Sequence, residues 1–173
     1  MTFPVERRGG LFFCVQKVSD SLPSSVPSAA SRAGFFIATI YAARRNCAVW
    51  RYANPNPKGK ETGDCVIRAI SLATDKSWYQ VYDELSSLGR AECDMMSTNA
   101  TWGLYLYRLG FEPFLIPDAC PACVTVRAFC RMFPRGTYII GTGNHAVAVI
   151  DGDYYDSWDS GGTVPSYFWK IKN

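Results

Sequence analysis

The sequence predicts an α+β fold in which helices come first and a mostly antiparallel sheet follows. Between residues 64 and 110, apolar side chains recur at the three- and four-residue spacing of amphipathic helices. Between residues 111 and 171, short apolar segments alternate with turn residues, as in a sheet built from hairpins. The dipeptide Asp151-Gly152 joins two of these segments and is a strong signal for a two-residue hairpin turn. We therefore expect an N-terminal helical part packed on a C-terminal antiparallel sheet.

Three helices are expected in the first part. The second has the clearest limits, because Ser77 and Gln80 match a capping box and Gly89 is a residue type that ends helices. The first follows an irregular loop at residues 54–63 that contains two prolines and two glycines, and the third is closed by Gly110. The expected helices span 64–75, 77–88 and 98–109.

The second part is expected to contain one short helix and five strands. Thr125 is the predicted N-cap of this helix, and Pro134 lies just beyond its end. The expected helix spans 125–133, and the expected strands span 111–116, 138–142, 145–150, 153–158 and 166–171.

Residues 1–48 differ in character from the rest of the chain. A segment rich in Ser, Pro and Ala at residues 19–31 is typical of a flexible linker. Residues 1–52 contain seven Lys or Arg against two acidic residues, a net charge of +5 in a chain whose total is +3. We expect a poorly ordered basic extension over 1–48, more often a solvated tail than an arm for an acidic surface, and a functional domain over 49–173.

The composition excludes several classes of function. With 48% hydrophobic and 14% aromatic residues, the 173-residue chain has the composition of one globular domain. The sequence has no nucleic-acid, P-loop or dinucleotide motif, and a charge of +3 does not require a nucleic-acid partner. We find no secretory signal, and the apolar segment Phe35–Ala43 has nine residues where a membrane span needs about 20. We therefore expect a cytoplasmic protein without a cofactor, whose seven cysteines are free, metal-bound or catalytic.

Cys65 is the candidate nucleophile. It lies in the predicted first turn of a helix, directly after Gly63 and Asp64. The unpaired N–H groups and the dipole at that position favour a thiolate over a thiol. A buried, inert cysteine is the alternative, and a matching base elsewhere in the chain favours the catalytic interpretation.

His145, the single histidine of the chain, is the candidate base. In the predicted hairpin, paired residues have numbers that sum to 303, which places His145, Asp156 and Trp158 on one face. Asp156 then lies diagonal to His145, where a carboxylate would orient the imidazole. Trp158 would cover that hydrogen bond. Asp159 is the second candidate for orienting the imidazole, after Asp156, because it points to the opposite face of the hairpin. A surface histidine with a structural hydrogen bond is the alternative.

The segments His145-Ala-Val-Ala-Val and Asp156-Ser-Trp resemble the paired strands of papain-like cysteine peptidases, in which a histidine opens one strand and Asn-Ser-Trp closes the next. Gly63-Asp-Cys65 resembles the nucleophile segment of papain-like and bacteriocin-processing peptidases, and the order Cys, His, Asp also matches. Residues 50–172 are similar to small bacterial and phage proteins with this layout. The resemblance implies a papain-like fold, a Cys-His-Asp triad and a place in the cytoplasm of a bacterium or a phage-infected host.

The sequence departs from that family at two positions. Asp156 stands where Asn is usual. The oxyanion donor, usually Gln or Asn shortly before the nucleophile, has no match, because this chain has Gly59 at the corresponding position. We assign the role to Asn56, or else to Asn54, assisted by the backbone N–H of Cys65.

Three further polar residues lie near the predicted site. Arg68 is one helical turn after Cys65 and is expected to pair with an acid inside the fold. Asp94 and Asn99 precede the third helix and are candidates either for the substrate cleft or, more commonly, for helix capping.

A structural zinc site is an alternative role for some of the cysteines. Cys120-Pro-Ala-Cys123 is a CxxC motif, and Cys130 and Cys93 would complete the four ligands that zinc takes. A single CxxC without a second pair favours buried thiols in a loop instead, and we expect no metal.

Two functions are consistent with these residues. The first is a thiol hydrolase, or a related acyl transferase of the transglutaminase type, that acts on a peptide or protein through an acyl-enzyme. The second is a catalytically weak or inactive protein of the same fold that binds a host protein. The intact Cys65, His145 and Asp156 set favours the first, and the missing oxyanion residue favours the second.

Overall fold

The structure is a computed structural model that describes residues 48–117 and 121–172, and these residues form six strands and four helices. The strands are β1 (Trp50–Tyr52), β2 (Phe111–Leu115), β3 (Thr137–Thr142), β4 (His145–Ile150), β5 (Asp153–Asp156) and β6 (Tyr167–Ile171). The helices are α1 (Cys65–Thr74), α2 (Trp78–Ala91), α3 (Asn99–Arg108) and α4 (Val126–Met132). The expected basic extension lies, except for Ala48, outside the described residues.

The strands form one mixed sheet in the order β1-β5-β4-β3-β6-β2. Neighbouring strands are antiparallel except for β1 and β5, which pair in parallel at one edge. The α+β class and the mostly antiparallel sheet are therefore confirmed. Strand β1 was not predicted, and its parallel pairing makes the sheet mixed.

The central strands are buried on both faces of the sheet. Ile139 and Ala148 belong to the apolar layer formed with α1, α2 and α3, whereas Ile140 and Val147 belong to the layer formed with Phe129 of α4. This alternation follows from the two-residue period of a strand. Helix α1 packs directly on β4. Within the described part of the chain, no helix combines the length and apolar character needed to cross a membrane.

The β4–β5 hairpin has the predicted register. Ala148 pairs with Tyr155 and Ile150 with Asp153, so the paired numbers sum to 303. The two turn residues, Asp151 and Gly152, have φ values of 49° and 81°, which is the positive-φ geometry of a type I′ turn.

Strand β5 is shorter than expected. The prediction extended it to Trp158, but it ends at Asp156. There the backbone N–H of Ser157 donates to Oδ1 of Asp156 over 2.8 Å, and this local bond replaces the next pairing of the strand.

The prediction that Gly89 ends α2 is wrong, since the helix continues to Ala91. The following loop folds back over the helix, and a Cβ at position 89 would lie 2.7 Å from the backbone oxygen of Asp94. Glycine is needed here for close approach of two backbones. The other predicted ends hold, because Ser77 and Gln80 form both capping-box hydrogen bonds and Gly110 has a φ of 86° after α3.

A tight contact between β3 and β6 supplies a test of the packing. A Cβ at Gly141 would lie 2.2 Å from the ring of Tyr167. We expect Gly141→Ala to lower the free energy of unfolding by about 1–3 kcal/mol, because the ring must move. Urea unfolding followed by circular dichroism measures this.

The matched control is Gly162→Ala, because no atom lies within 4 Å of the added methyl group there. Its effect should stay within about 0.5 kcal/mol. Equal destabilisation by the two variants would contradict the Gly141–Tyr167 contact.

Candidate active site

Cys65 is the first residue of α1 and is half-buried beside β4. Asp64 occupies the N-cap position, but its side chain makes no capping hydrogen bond. The side chain of Asp64 therefore does not occupy the N–H groups of the first helical turn. The backbone N–H groups of Val66 and Ala146 are directed to Cys65 closely enough to lower the pKa of its thiol. The sulfur thus lies where the start of α1 meets the start of β4.

His145 is the first residue of β4 and is held by the last residue of β5. Its Nε2 lies 2.6 Å from Oδ2 of Asp156, a carboxylate that is 6% exposed. The other ring nitrogen, Nδ1, is thereby left free for Cys65, whose side chain raises the pKa of His145. The structure brings the three predicted residues together, with His145 between Asp156 and Cys65.

The pKa values of Cys65 and His145 move in opposite directions. Burial raises the pKa of the Cys65 thiol, but the hydrogen bond with His145 and the two backbone N–H groups outweigh burial and bring it below its ordinary value. Burial lowers the pKa of His145, but the hydrogen bonds and charges of Asp156 and Cys65 raise it to about 9. Because the pKa of Cys65 falls and that of His145 rises, the shifts favour the thiolate–imidazolium pair over the neutral pair.

A pocket of about 260 Å³, here called the Cys65 pocket, opens beside the sulfur. Cys65 and His145 form part of its wall, and Asn99, Trp102 and Tyr167 form another part. The Oδ1 of Asn99 accepts hydrogen bonds from Trp102 Nε1 over 3.1 Å and from the Tyr167 hydroxyl over 3.0 Å. Burial and the charge of Cys65 raise the pKa of Tyr167, which keeps this hydroxyl protonated.

Asp94 and Asn99, each a candidate for the substrate cleft or for helix capping, have different positions. Asp94 accepts hydrogen bonds from the hydroxyls of Thr98 and Thr101 and so supports the start of α3. Asn99 lines the Cys65 pocket. Trp102 and Tyr167 were not predicted to line it, because the position of Tyr167 depends on the pairing of β6 with β3, which no local pattern encodes.

Asp64 is the centre of a buried polar cluster next to the nucleophile. Its Oδ2 accepts from Asn56 Nδ2 and from Trp78 Nε1, each over 2.9 Å. Its Oδ1 lies 3.1 Å from Arg68 Nε, although the orientation of that N–H does not make a hydrogen bond. The expectation that Arg68 pairs with an internal acid is confirmed.

The residues predicted to support the triad have different positions. Asn56 donates its amide to Asp64 and is not part of the wall of the Cys65 pocket. Trp158 lies with its ring centroid 5.3 Å from that of His145 and is 46% exposed, so it covers the imidazole on one side. Asp159 lies away from His145, where its carboxylate accepts from Tyr154 over 2.5 Å and pairs with Arg127.

The alternative zinc site does not assemble among the described residues. Cys93 is exposed in the loop after α2 and Cys130 is buried on α4, where burial raises its pKa to about 12. Cys123 lies before α4, and Cys120 lies outside the described residues. No group of three or more His, Cys, Asp or Glu in residues 48–117 and 121–172 has metal-binding geometry.

No protein-family model, no curated protein and no solved structure matches this chain. The resemblance to papain-like peptidases therefore rests on the residues themselves and on the geometry described above.

The pairing of Cys65 with His145 can be tested by alkylation with iodoacetamide. We expect Cys65 to reach its maximal rate at a lower pH than an ordinary thiol, because the reactive thiolate is already present there. His145→Ala removes the cation and should move the midpoint of the profile upward. Peptide mass spectrometry measures the modified fraction at Cys65 between pH 4 and 10.

Cys93 serves as an internal reference, because it is exposed and does not contact His145. Its rate profile should be the same in the wild type and in His145→Ala. A Cys65 profile that is unchanged by His145→Ala would exclude the ion pair.

The Asp64 cluster leads to a stability prediction. Asp64 and Arg68 side chains are only 4% and 8% exposed, so removal of one partner leaves a buried charge. We expect Asp64→Ala to lower the free energy of unfolding by about 3–5 kcal/mol. The double variant Asp64→Ala/Arg68→Met should lower it by less than the sum of the two single variants. Urea unfolding of all three gives the coupling energy. As a surface control, Glu112→Ala breaks an exposed pair with Lys172 and should leave the urea midpoint of unfolding nearly unchanged. If the effects of the Asp64 and Arg68 variants are strictly additive, the two side chains are not coupled.

Proposed function

We propose that the chain is a thiol hydrolase that cleaves peptide or isopeptide bonds through a covalent acyl-enzyme. The observation that carries the proposal is the meeting of three side chains: Cys65 and His145 line one pocket and shift each other's pKa, and His145 Nε2 lies 2.6 Å from Asp156 Oδ2. A nucleophile, a base and a residue that orients the base are the three roles that such catalysis needs. The adjacent Cys65 pocket provides space for a substrate beside the sulfur.

In the first step the Cys65 thiolate attacks the substrate carbonyl carbon, and the carbonyl electrons move to oxygen. The backbone N–H of Cys65 donates to no other group in the described residues and is available to this oxyanion. Collapse of the tetrahedral intermediate breaks the C–N bond. The imidazolium of His145 gives its proton to the leaving amine, which leaves a thioester on Cys65.

In the second step the neutral imidazole removes a proton from water as the water attacks the thioester. The acid is released, and His145 and Cys65 return to the ion pair. Asp156 holds the ring throughout with Nδ1 toward the sulfur. If an amine replaces water, the same steps make a new amide, so the acyl-transferase variant differs only in its acceptor.

We further propose that the fold is papain-like. It is supported by the nucleophile at the start of a helix that packs on β4, by the histidine that opens β4, and by Trp158 beside that histidine. The described part of the chain combines four helices with a six-stranded mixed sheet.

One observation favours the second candidate, a weakly catalytic binding protein. The amide of Asn56, the side chain expected to stabilise the oxyanion, is bonded to Asp64 over 2.9 Å. Loss of one oxyanion donor typically reduces a rate by about 10²–10³. The exposed aromatic side chains near the site would then serve recognition of a partner.

Acylation by p-nitrophenyl acetate tests the catalytic proposal. We expect intact-mass spectrometry to show one acetyl group that Cys65→Ala removes. The rate should rise with pH as the thiol ionises below its ordinary pKa and then level off, because p-nitrophenolate leaves without a proton from His145. With a peptide amide, whose amine must be protonated to leave, the rate should also fall as His145 loses its proton near pH 9. His145→Ala should lower the rate by about 10²–10⁴.

A pooled set of fluorogenic peptides, compared between wild type and Cys65→Ala, extends the test to amide bonds. Acetylation that persists in Cys65→Ala would refute the nucleophile. Rapid acetylation of Cys65 without turnover of any peptide would favour the binding protein over the hydrolase.

A further inference from the structure

A second pocket lies on the other side of Gly63 from the nucleophile. It is formed between the loop at residues 56–64 and α2, and we call it the loop–α2 pocket. Its volume is about 520 Å³, within the usual range of ligand pockets. Gly63 is part of the wall of both pockets, so a chain that crosses Gly63 enters both.

One wall of the loop–α2 pocket is aromatic. The rings of Trp78 and Tyr82 are stacked, with centroids 4.9 Å apart, and Tyr79 meets Trp78 edge-on at 5.6 Å. Tyr79 and Tyr82 are 58% and 38% exposed, so part of each ring is open to solvent. The Trp78 ring is fixed by its hydrogen bond to Asp64. A preformed aromatic surface of this kind binds flat or apolar groups at low entropic cost.

The opposite wall carries positive charge. Gly59, with a φ of 61°, lies between Lys58 and Lys60 in a turn whose N–H groups bond to Asn56. Within the described residues neither lysine pairs with a carboxylate at ion-pair distance. The acid of the lining, Asp64, is buried against Arg68. The pocket therefore presents two uncompensated ammonium groups beside aromatic rings.

We propose that the loop–α2 pocket binds a peptide segment that carries an aromatic side chain next to acidic ones. The aromatic side chain lies against the exposed rings of Tyr79 and Tyr82 beside Trp78, and the carboxylates face Lys58 and Lys60. The Cys65 pocket, which contains no Lys, Arg, Asp or Glu in its wall, takes a small uncharged side chain at the scissile bond. The role of this segment as part of a substrate rests on the proposed hydrolase function, whereas the binding itself does not.

Nuclear magnetic resonance of the Cys65→Ala variant tests binding without turnover. The probes are three capped tripeptides: Phe-Glu-Glu, Phe-Lys-Lys and Ala-Glu-Glu. Phe-Glu-Glu should shift the indole N–H resonance of Trp78 and saturate. Ala-Glu-Glu should bind roughly tenfold more weakly, because it lacks the ring, and Phe-Lys-Lys should not saturate. Equal binding of Phe-Lys-Lys and Phe-Glu-Glu would overturn the proposal.

Matched variants locate the contacts. Lys58→Gln/Lys60→Gln should weaken Phe-Glu-Glu roughly fivefold and reduce the salt dependence of binding, while Lys170→Gln on β6 is the control. Tyr79→Ser should weaken it, while Tyr107→Ser, an equally exposed tyrosine on α3, should not. Charge reversal in Lys58→Glu/Lys60→Glu should turn the preference toward Phe-Lys-Lys.

The two proposals fail in different ways. If Phe-Glu-Glu binds as expected but p-nitrophenyl acetate leaves Cys65 of the wild type unmodified, the pocket is a recognition site and the hydrolase is wrong. If Cys65 is acetylated but Phe-Glu-Glu leaves the Trp78 resonance unshifted, the hydrolase stands and the assignment of this pocket is wrong.

Discussion

The hydrogen bond between His145 Nε2 and Asp156 Oδ2 is the interaction on which the site depends. It joins the first residue of β4 to the last residue of β5, so its length of 2.6 Å is set by the register of one hairpin. Because Nε2 is committed, Nδ1 faces the sulfur at the start of α1. The packing of α1 on β4 then decides whether the sulfur and the ring meet. The chemistry proposed for Cys65 therefore depends on one turn and one helix–strand contact.

The parts of the site that the sequence predicts are those fixed by short-range geometry. Asp151 and Gly152 specify a two-residue turn, and such a turn allows one pairing of the strands beside it. The diagonal relation of His145 and Asp156 follows without knowledge of the rest of the fold. The start of α1 at Cys65 is predictable for a similar reason, since a proline- and glycine-rich loop precedes a segment with helical periodicity.

The parts that the sequence does not predict depend on contacts between distant segments. The pairing of β1 with β5 joins residues about a hundred positions apart through three exposed residues, a segment too short for its alternation to indicate a strand. The role of Gly89 was predicted wrongly, because glycine is needed there for contact with the backbone of Asp94, which lies outside the helix. Tyr167 reaches the Cys65 pocket only because Gly141 on the neighbouring strand leaves room for its ring. Asn56 was assigned to the oxyanion because its bond to Asp64 was not foreseen.

The placement of Asp64 explains how a thiolate is favoured beside two carboxylates. Unit charges about 4 Å apart at an effective dielectric constant near 20 interact by about 4 kcal/mol, enough to cancel the effect of the His145 cation if a carboxylate near Cys65 were unpaired. Asp64 instead turns inward to Arg68, Asn56 and Trp78, and Asp156 faces His145. Each carboxylate thus has its own cation. By turning inward, Asp64 also leaves the N–H groups of the first helical turn to the sulfur. The position of this one side chain thus avoids repulsion between its carboxylate and the thiolate, and it permits attraction between the N–H groups and the sulfur.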